Sequence, residues 1–283
     1  MNDQPELVNL FWSNAGIYPG TGEISPVDFE VRVKSAAKAG FKGIGIWHTD
    51  LEHTLVSRSL RDVKAILTDN GMACAELEFL TDWFVKGARK AESDGRKKRL
   101  LEASAALGAH HVKVGDFYST PATMPQLIDS FGALCADAAA FGARIGFEFM
   151  GSAMLTNLGD SLAMVEGAGA ANGGVIVDIV HAANMGVGFD EIRRIPLPHL
   201  VSVELNDGYP PSDPRHDRSG QRKFCGEGAF DIRGFIAAVR ATGYVGPWAV
   251  EVFARDLAGL SQDELNRRAF ETTIRQFEDR GVR

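Results

Sequence analysis

The feature that most constrains the fold is a repeated unit in which a helix ends at glycine and an apolar run follows within a few residues. These corners lie at Gly40, Gly71, Gly108, Gly142 and Gly243. Glycine just beyond a helix end adopts the left-handed backbone conformation without steric cost, so each corner predicts a helix-to-strand junction. Strands therefore alternate with helices, which is typical of an α/β fold.

The apolar runs predict about eight strands, the number that a closed (β/α)8 TIM barrel requires. The runs are residues 7–12, 43–48, 72–79, 110–115, 143–149, 174–179, 199–206 and 247–253. They are apolar on both faces, which is typical of parallel strands covered by helices. With 283 residues and 45% hydrophobic content, we expect a single barrel domain over residues 1–283. A doubly wound sheet is the alternative, but no Gly-x-Gly-x-x-Gly motif follows the first strand.

Helix starts agree with this alternation. Ser25 followed by Pro26, Thr123 near Pro125, and the capping sequence from Ser261 to Glu264 each predict a helix start. The longest irregular stretch, about residues 207–228, is interpreted as an active-site loop, since no Gly/Pro/Ser-rich linker marks a domain boundary.

Composition excludes several classes of function. The formal net charge is −7 and the isoelectric point is near 5.5, which opposes binding to the phosphate backbone of nucleic acid. The amino terminus lacks a basic segment followed by an apolar one, and no apolar run approaches membrane-spanning length. We therefore expect a cytoplasmic protein with no nucleic-acid or membrane partner.

Acidic residues lie at the carboxyl ends of four successive apolar runs in the second half of the chain. They are Glu148, Asp178, Glu204 and Glu251. Unpaired carboxylates are heavily penalised in buried strands, and functional groups of such barrels lie at this end of the strands. The pattern predicts one shared divalent cation, with Mn²⁺ or Mg²⁺ favoured and Co²⁺ or Zn²⁺ tolerated if an imidazole joins. The alternative is that each carboxylate pairs with a neighbouring Arg or Lys.

Further polar and aromatic groups near strand ends are candidates for a substrate pocket. His48 ends the second predicted strand, Trp83 follows the third, and either Glu76 or Glu78 faces the pocket. Lys113 is an unusual charge within a strand. It is expected either to face the ligand or to form a buried ion pair with Glu148.

Four segments resemble one known family, the xylose-isomerase-like TIM barrels. They are Gly146-Phe-Glu148, Val177-Asp178-x-x-His181, the stretch from Arg222 to Gly228 with Phe230-Asp231, and Val250-Glu251. The family includes sugar isomerases, ketose 3-epimerases, inosose dehydratases and the endonuclease IV type of DNA repair enzyme, and the resemblance covers essentially the whole chain. It implies that Glu148, Asp178 and Glu251 bind a metal and that His181 contacts substrate or metal. Family members often form homo-oligomers.

The chain departs from the family pattern at the seventh strand. The usual His-x-His-x-x-Asp is replaced by Ser202-Val-Glu204-Leu-Asn-Asp207, so Glu204 stands where a metal-binding His is customary. Some dehydratase-like relatives carry Gln there, which weakens the epimerase interpretation and favours a lyase. Arg222 precedes a Gly-x-Gly turn that resembles the family's substrate loop. It is interpreted as a clamp for a carboxylate, phosphate or hydroxyl pair, with a surface salt bridge as the alternative.

The leading hypothesis is a metal-dependent isomerase or epimerase of a small sugar or keto-polyol. Glu148 and Glu251 would flank the carbon next to a carbonyl, one removing a proton and the other returning it through a metal-stabilised enediolate, while His181 binds a substrate oxygen. The alternative is a lyase of the inosose or dehydroshikimate dehydratase type, for which His48, Glu76 or His216 would be the extra general acid. An abasic-site endonuclease is disfavoured by the acidity. A barrel subunit without catalysis would bind no cation.

Overall fold

Eight strands occupy the predicted apolar runs and pair side by side in sequence order. The computed structural model describes residues 5–216 and 221–278. The strands are β1 (Leu7–Asn9), β2 (Gly43–Trp47), β3 (Cys74–Leu80), β4 (His111–Val114), β5 (Ile145–Glu148), β6 (Gly173–Asp178), β7 (Leu200–Leu205) and β8 (Trp248–Val250). All neighbours are parallel, and β1 pairs with β8 as well as β2. The sheet therefore closes, which confirms the predicted (β/α)8 barrel.

Helices surround this barrel. They are α1 (Phe11–Asn14), α2 (Phe29–Ala39), α3 (His48–Thr54), α4 (Leu60–Asp69), α5 (Ala88–Leu107), α6 (Met124–Ala139), α7 (Leu158–Ala168), α8 (Ile179–Met185), α9 (Phe189–Ile192), α10 (Ile232–Ala241) and α11 (Gln262–Ile274). The main hydrophobic core lies between the strands and these helices. Across residues 5–216 and 221–278, no helix combines the length and apolar character needed to span a membrane.

The predicted helix ends and two of the three predicted starts are confirmed. Gly40 and Gly108 have φ values of 116° and 66° just beyond α2 and α5. The Thr123 side chain accepts a hydrogen bond from the Gln126 N–H at the start of α6. At α11 the Ser261 hydroxyl accepts one from the Glu264 N–H.

The start predicted at Ser25 and Pro26 is wrong. Helix α2 begins at Phe29, and the Asp28 carboxylate accepts a hydrogen bond from the Glu30 N–H. The Ser25 hydroxyl instead donates to the Ala15 carbonyl at 2.6 Å. Asp28 therefore caps α2 in place of Ser25. The Ser25 side chain instead holds the loop before α2 against Ala15, the residue that follows α1.

The barrel interior holds a small apolar cluster and, nearer the mouth, a layer of charged side chains. Val8, Leu10 and Ala249 form the apolar cluster. Above it, Gly45 leaves room for Glu78, because a Cβ at Gly45 would lie 2.2 Å from Glu78 Oε1. TIM-barrel interiors are commonly filled by branched apolar side chains, so the charged upper layer indicates a function rather than packing.

The loop after β7 is anchored by one buried carboxylate. Asp207 is 1% exposed. Its two oxygens accept hydrogen bonds of 2.8 to 3.0 Å from the backbone N–H groups of Gly208, Gly226, Gly228 and Phe230. Asp207 and Lys223 also exchange two backbone hydrogen bonds. These bonds position the segment that carries Arg222; residues 217–220 of the predicted active-site loop lie outside the described residues.

Candidate active site

The structure brings together the four carboxylates that end successive strands. One oxygen each from Glu148, Asp178, Glu204 and Glu251 lies within 4.8 Å of the others. Glu148 and Asp178 end β5 and β6, Glu204 lies near the end of β7, and Glu251 follows β8. All four side chains are buried. The parallel register therefore concentrates negative charge at one point of the barrel mouth.

The Lys113 ammonium lies among these carboxylates. Its Nζ is 2.6 Å from Glu204 Oε1, 3.2 Å from Glu78 Oε2, 3.5 Å from Glu251 Oε1 and 3.8 Å from Glu148 Oε2. Burial lowers the pKa of Lys113, but the surrounding carboxylates outweigh burial and hold it well above its usual value. Lys113 therefore stays charged. It contacts Glu148, as one alternative from the sequence had it, but its shortest contact is with Glu204.

Arg222 is a second cation of the cluster, and its side chain is only 10% exposed. Its Nη2 donates to Asp178 Oδ2 at 2.9 Å, and its Nη1 donates to Glu251 Oε2. Burial disfavours its charge, but Glu251 and Asp178 hold the pKa of Arg222 above its usual value. His181 Nε2 lies 3.4 Å from Arg222 Nη2 and 3.5 Å from Glu148 Oε1. The guanidinium thus links β6, β8 and the loop after β7.

The pKa values of the cluster move in different directions. Burial raises the pKa of Glu148 to about 8 and that of Glu204 well above its usual range. Burial also raises that of Glu251, but the Arg222 and Lys113 cations outweigh burial, so its pKa lies below the usual range. Burial lowers the pKa of His181 to about 4. At neutral pH, Glu251 is therefore a carboxylate and His181 a neutral imidazole.

The cluster fits a hard divalent cation. Neither oxygen of Glu204 accepts a hydrogen bond of normal angle from the described residues, although Lys113 Nζ lies 2.6 Å from Oε1. A buried carboxylate with unsatisfied oxygens is costly, and an all-oxygen donor set suits Mg²⁺ or Mn²⁺. His181, grouped with Glu148 and Asp178, also offers an imidazole within 4.8 Å, which suits a transition metal.

A cavity of about 370 Å³ opens above the cluster and has an aromatic wall. The wall consists of Trp12, Trp47, Phe79, Phe117 and Phe253. Ring centroids are 4.9 Å apart for Trp12 and Trp47, 4.7 Å for Phe79 and Phe117, and 4.6 Å for Trp12 and Phe253. Rings of this kind pack against C–H or ring faces of a ligand while the charged floor binds oxygens. Phe79, Phe117 and Phe253 were missed from the sequence, although each lies at or just beyond a strand end.

Two predicted substrate-binding residues lie away from this cavity. Trp83 packs against Phe131 and Phe147 in the layer between strands and helices, and its Nε1 donates to the Gly115 carbonyl at 3.2 Å. His48 begins α3 and lines a groove between helices α3, α4 and α5. The positions of His48 and Trp83 both correct the prediction, because the chain turns at the two strand ends and carries these side chains outside the barrel.

Of the remaining general-acid candidates, His216 lies in a neighbouring cavity of about 460 Å³ that shares Arg222. Its Nδ1 is 2.7 Å from the Tyr209 carbonyl oxygen. Glu76 lies deeper in the barrel than Glu78, where its Oε2 is 3.6 Å from His111 Nε2. Of the two strand glutamates, Glu78 therefore reaches the mouth cavity.

Glu76 is expected to make stability fall as pH rises. Burial raises its pKa to about 8 from the unfolded value of 4.5, so between these values the folded protein holds a proton that the unfolded chain has lost. Relative to Glu76→Gln, the native protein should lose on the order of 4 kcal/mol of unfolding free energy between pH 5 and pH 9. Urea denaturation of both proteins at several pH values measures this. Parallel pH profiles would contradict it; Glu148 contributes equally to both proteins and cancels.

Comparison with known proteins agrees with this geometry. A family model described as xylose isomerase-like TIM barrel matches residues 33–276. A 3-dehydroshikimate dehydratase from Pseudomonas aeruginosa is 30% identical over 232 residues, covering 78% of this chain and 36% of the relative. An inosose isomerase from Halalkalibacterium halodurans is 24% identical over 138 residues, covering 47% of this chain and 48% of the relative. Both relatives are enzymes, and the chain spans about a third of the dehydratase's length.

A solved structure of the IOLI protein with a bound zinc atom has the same fold. It superimposes with a TM-score of 0.84 at 18% identity and covers 96% of this chain and 97% of that chain. At this identity the likeness shows the fold alone.

Proposed function

This chain belongs to the xylose isomerase-like TIM-barrel family, and we propose that it is a divalent-metal-dependent dehydratase of a small keto-polyol. The observation that carries the metal-dependent chemistry is the convergence of four buried carboxylates on one point of the barrel mouth. The choice of elimination is supported by the 30% identity to a 3-dehydroshikimate dehydratase over 78% of the chain. Glu204 in place of the customary histidine agrees with this choice.

The metal would be held by Glu148, Asp178, Glu204 and Glu251. A zinc atom in the IOLI protein and the all-oxygen donor set support a divalent ion, with Mn²⁺ or Mg²⁺ favoured by the carboxylates. When bound, such an ion supplies Lewis acidity that polarises a substrate carbonyl and acidifies the adjacent C–H bond.

The protein's own side chains would then move the protons. Glu251, whose pKa is held below its usual range, accepts the proton from the carbon next to the carbonyl. The C–O bond to the β-hydroxyl breaks as a C=C bond forms, and the hydroxyl takes up the proton that Glu251 accepted and leaves as water. His181 lines the cavity and hydrogen-bonds a substrate oxygen. The aromatic wall excludes water and packs against the carbon skeleton.

A substrate that carries a carboxylate is supported by the neighbouring cavity. Arg222, Lys223 and Arg255 line it together with Arg215 and His216. Lys223 is 3.8 Å from Asp256 and Arg215 pairs with Asp213, so part of this charge is already balanced. The cavity joins the metal cluster through Arg222, which suits a molecule with a carbonyl at one end and an anionic group at the other.

Isomerisation or epimerisation is the second candidate. It shares proton abstraction next to a carbonyl but returns the proton to carbon instead of losing water. The similarity to an inosose isomerase and the position of Glu148 and Glu251, which both line the cavity, favour it over unrelated chemistry.

Metal content is the first test. Protein loaded with Mn²⁺ and desalted should contain about one equivalent by plasma mass spectrometry, and Glu148→Gln should lose most of it because an essential anionic ligand is gone. Glu166→Gln, an exposed residue of α7, is the matched control and should retain the metal. Absence of metal from both the native protein and the control would refute a metal-dependent reaction.

Product analysis separates the two candidates. The metal-loaded protein is incubated in D₂O with 3-dehydroshikimate, inososes and ketohexoses. A dehydratase gives a new ultraviolet absorbance from a conjugated product. Deuterium in recovered substrate or in an isomer, without that absorbance, would replace elimination by isomerisation.

A further inference from the structure

Lys113 occupies the centre of the carboxylate cluster as a cation supplied by the chain itself. We propose that Lys113 is a positioning residue that sets the affinity of the cluster for its divalent ion, by supplying part of the positive charge that the ion would otherwise supply. The inference rests on the proposed metal dependence and concerns how strongly the metal is held. Lys113 is thus assigned a role distinct from binding substrate.

The charge of the cluster supports this role. Five buried carboxylates surround the site: Glu78, Glu148, Asp178, Glu204 and Glu251. Lys113 and Arg222 are the two cations that contact them among the described residues. Five carboxyl groups face two cations, so up to three negative charges remain for an incoming ion to balance. A divalent ion therefore still binds favourably, but against the repulsion of an ammonium a few ångströms away.

The position of Lys113 prevents it from moving aside. It lies in the middle of β4, between two hydrogen-bonded strands, and is 1% exposed. A flexible surface lysine would swing into solvent when an ion arrives. This ammonium is instead held by four carboxylates, so its charge stays near the ion and its contact with Glu204 competes with metal binding.

Arg222 differs from Lys113 in this respect. It pairs with Asp178 and Glu251 through a planar fork from the loop after β7, on the side of the second cavity. Lys113 instead reaches four carboxylates, three of which, Glu78, Glu148 and Glu204, have no contact with Arg222 within salt-bridge distance. Lys113 is therefore the cation whose charge most directly opposes an added ion.

The test is the Mn²⁺ dissociation constant of Lys113→Gln, measured by competition with a fluorescent chelator. Removing the ammonium should tighten Mn²⁺ binding at least about tenfold, because an unscreened unit charge at this range contributes more than that in a buried site. Lys97→Gln is the matched control, since Lys97 is also ion-paired with two carboxylates, Asp94 and Asp137, but lies on α5 outside the barrel. The control should bind Mn²⁺ like the native protein.

A second readout comes from the metal-free proteins. Lys113→Gln leaves the carboxylates without their central cation, so its thermal midpoint should fall without metal and rise on Mn²⁺ addition by more than that of the native protein. If the metal-free variant does not fold, it is purified with Mn²⁺ and stripped by excess chelator. Release slower than from the native protein supports the proposal, and equal or faster release overturns it.

The outcomes separate this inference from the proposed function. Unchanged or weaker Mn²⁺ binding by Lys113→Gln, with normal binding by the native protein, overturns the role of Lys113 alone. No binding by native protein, variant or control overturns both the metal dependence and this inference.

Discussion

Replacement of Glu251 by Gln is expected to lower kcat on the proposed substrates by about 10³-fold or more, because the change removes the proposed base and one metal ligand together. Glu251 is the cluster carboxylate whose pKa is held below its usual range, so it is ionised at neutral pH. The amide keeps the shape but cannot accept the proton. Steady-state kinetics with a metal-loaded variant measures the effect, which should fall on kcat more than on KM.

Two comparisons make this result decisive. Glu102→Gln, on the outside of α5, should leave kcat unchanged. Glu251→Gln also loses an ion pair with Arg222, so its thermal midpoint and Mn²⁺ content are recorded beside its activity. A folded, metal-containing variant that retains a tenth or more of native kcat would show that Glu251 is not the base.

Replacement of Asp207 by Ala is expected to lower the free energy of unfolding by about 3–5 kcal/mol. The carboxylate is buried and accepts hydrogen bonds from four backbone N–H groups, so its loss leaves those donors unpaired and releases the segment that carries Arg222. Urea unfolding followed by circular dichroism measures the loss. The unfolding free energy of Asp207→Asn should lie between those of the native protein and Asp207→Ala, since the amide keeps an acceptor oxygen without the charge.

Asp213 provides the matched control for this loss. It lies in the same loop and pairs with the exposed Arg215, and its own side chain is only partly buried, so Asp213→Ala should leave the urea midpoint unchanged. Equal destabilisation by both substitutions would mean that the loop tolerates no change of charge and that Asp207 has no special anchoring role.

The fold was predictable because its signals are local and repeated. Gly40, Gly108 and Gly243 each follow a helix and have the positive φ that ends it. The apolar runs that follow such corners then pair with parallel neighbours in the sheet. The convergence of Glu148, Asp178 and Glu251 followed from the same logic, since equivalent ends of parallel strands meet at one rim. Ser25 misled because a capping side chain can equally satisfy a distant carbonyl.

The details of the candidate site depend on side-chain direction, which the sequence does not encode locally. Trp83 and His48 follow strands, as predicted pocket residues should, but the backbone turns before them. Trp83 then lies between strands and helices, and His48 lies in a groove between helices. Glu76 and Glu78 both face inward by alternation. The two glutamates are two residues apart on one strand, but Glu76 contacts His111 and Glu78 contacts Lys113. Only the assembled barrel shows this difference.

Because β8 closes against β1, the site forms only when the whole barrel is assembled. The cluster draws Glu78 from β3, Lys113 from β4 and the remaining carboxylates from the four strands that follow. A fragment that ended before β8 would lack Glu251, and one that began after β3 would lack Glu78. Half-barrels from this chain therefore cannot serve as simpler versions of the site, and engineered permutations must keep β3 to β8 in their present spatial order. Loss of the site should also coincide with global unfolding, which makes ligand binding a direct report of barrel integrity.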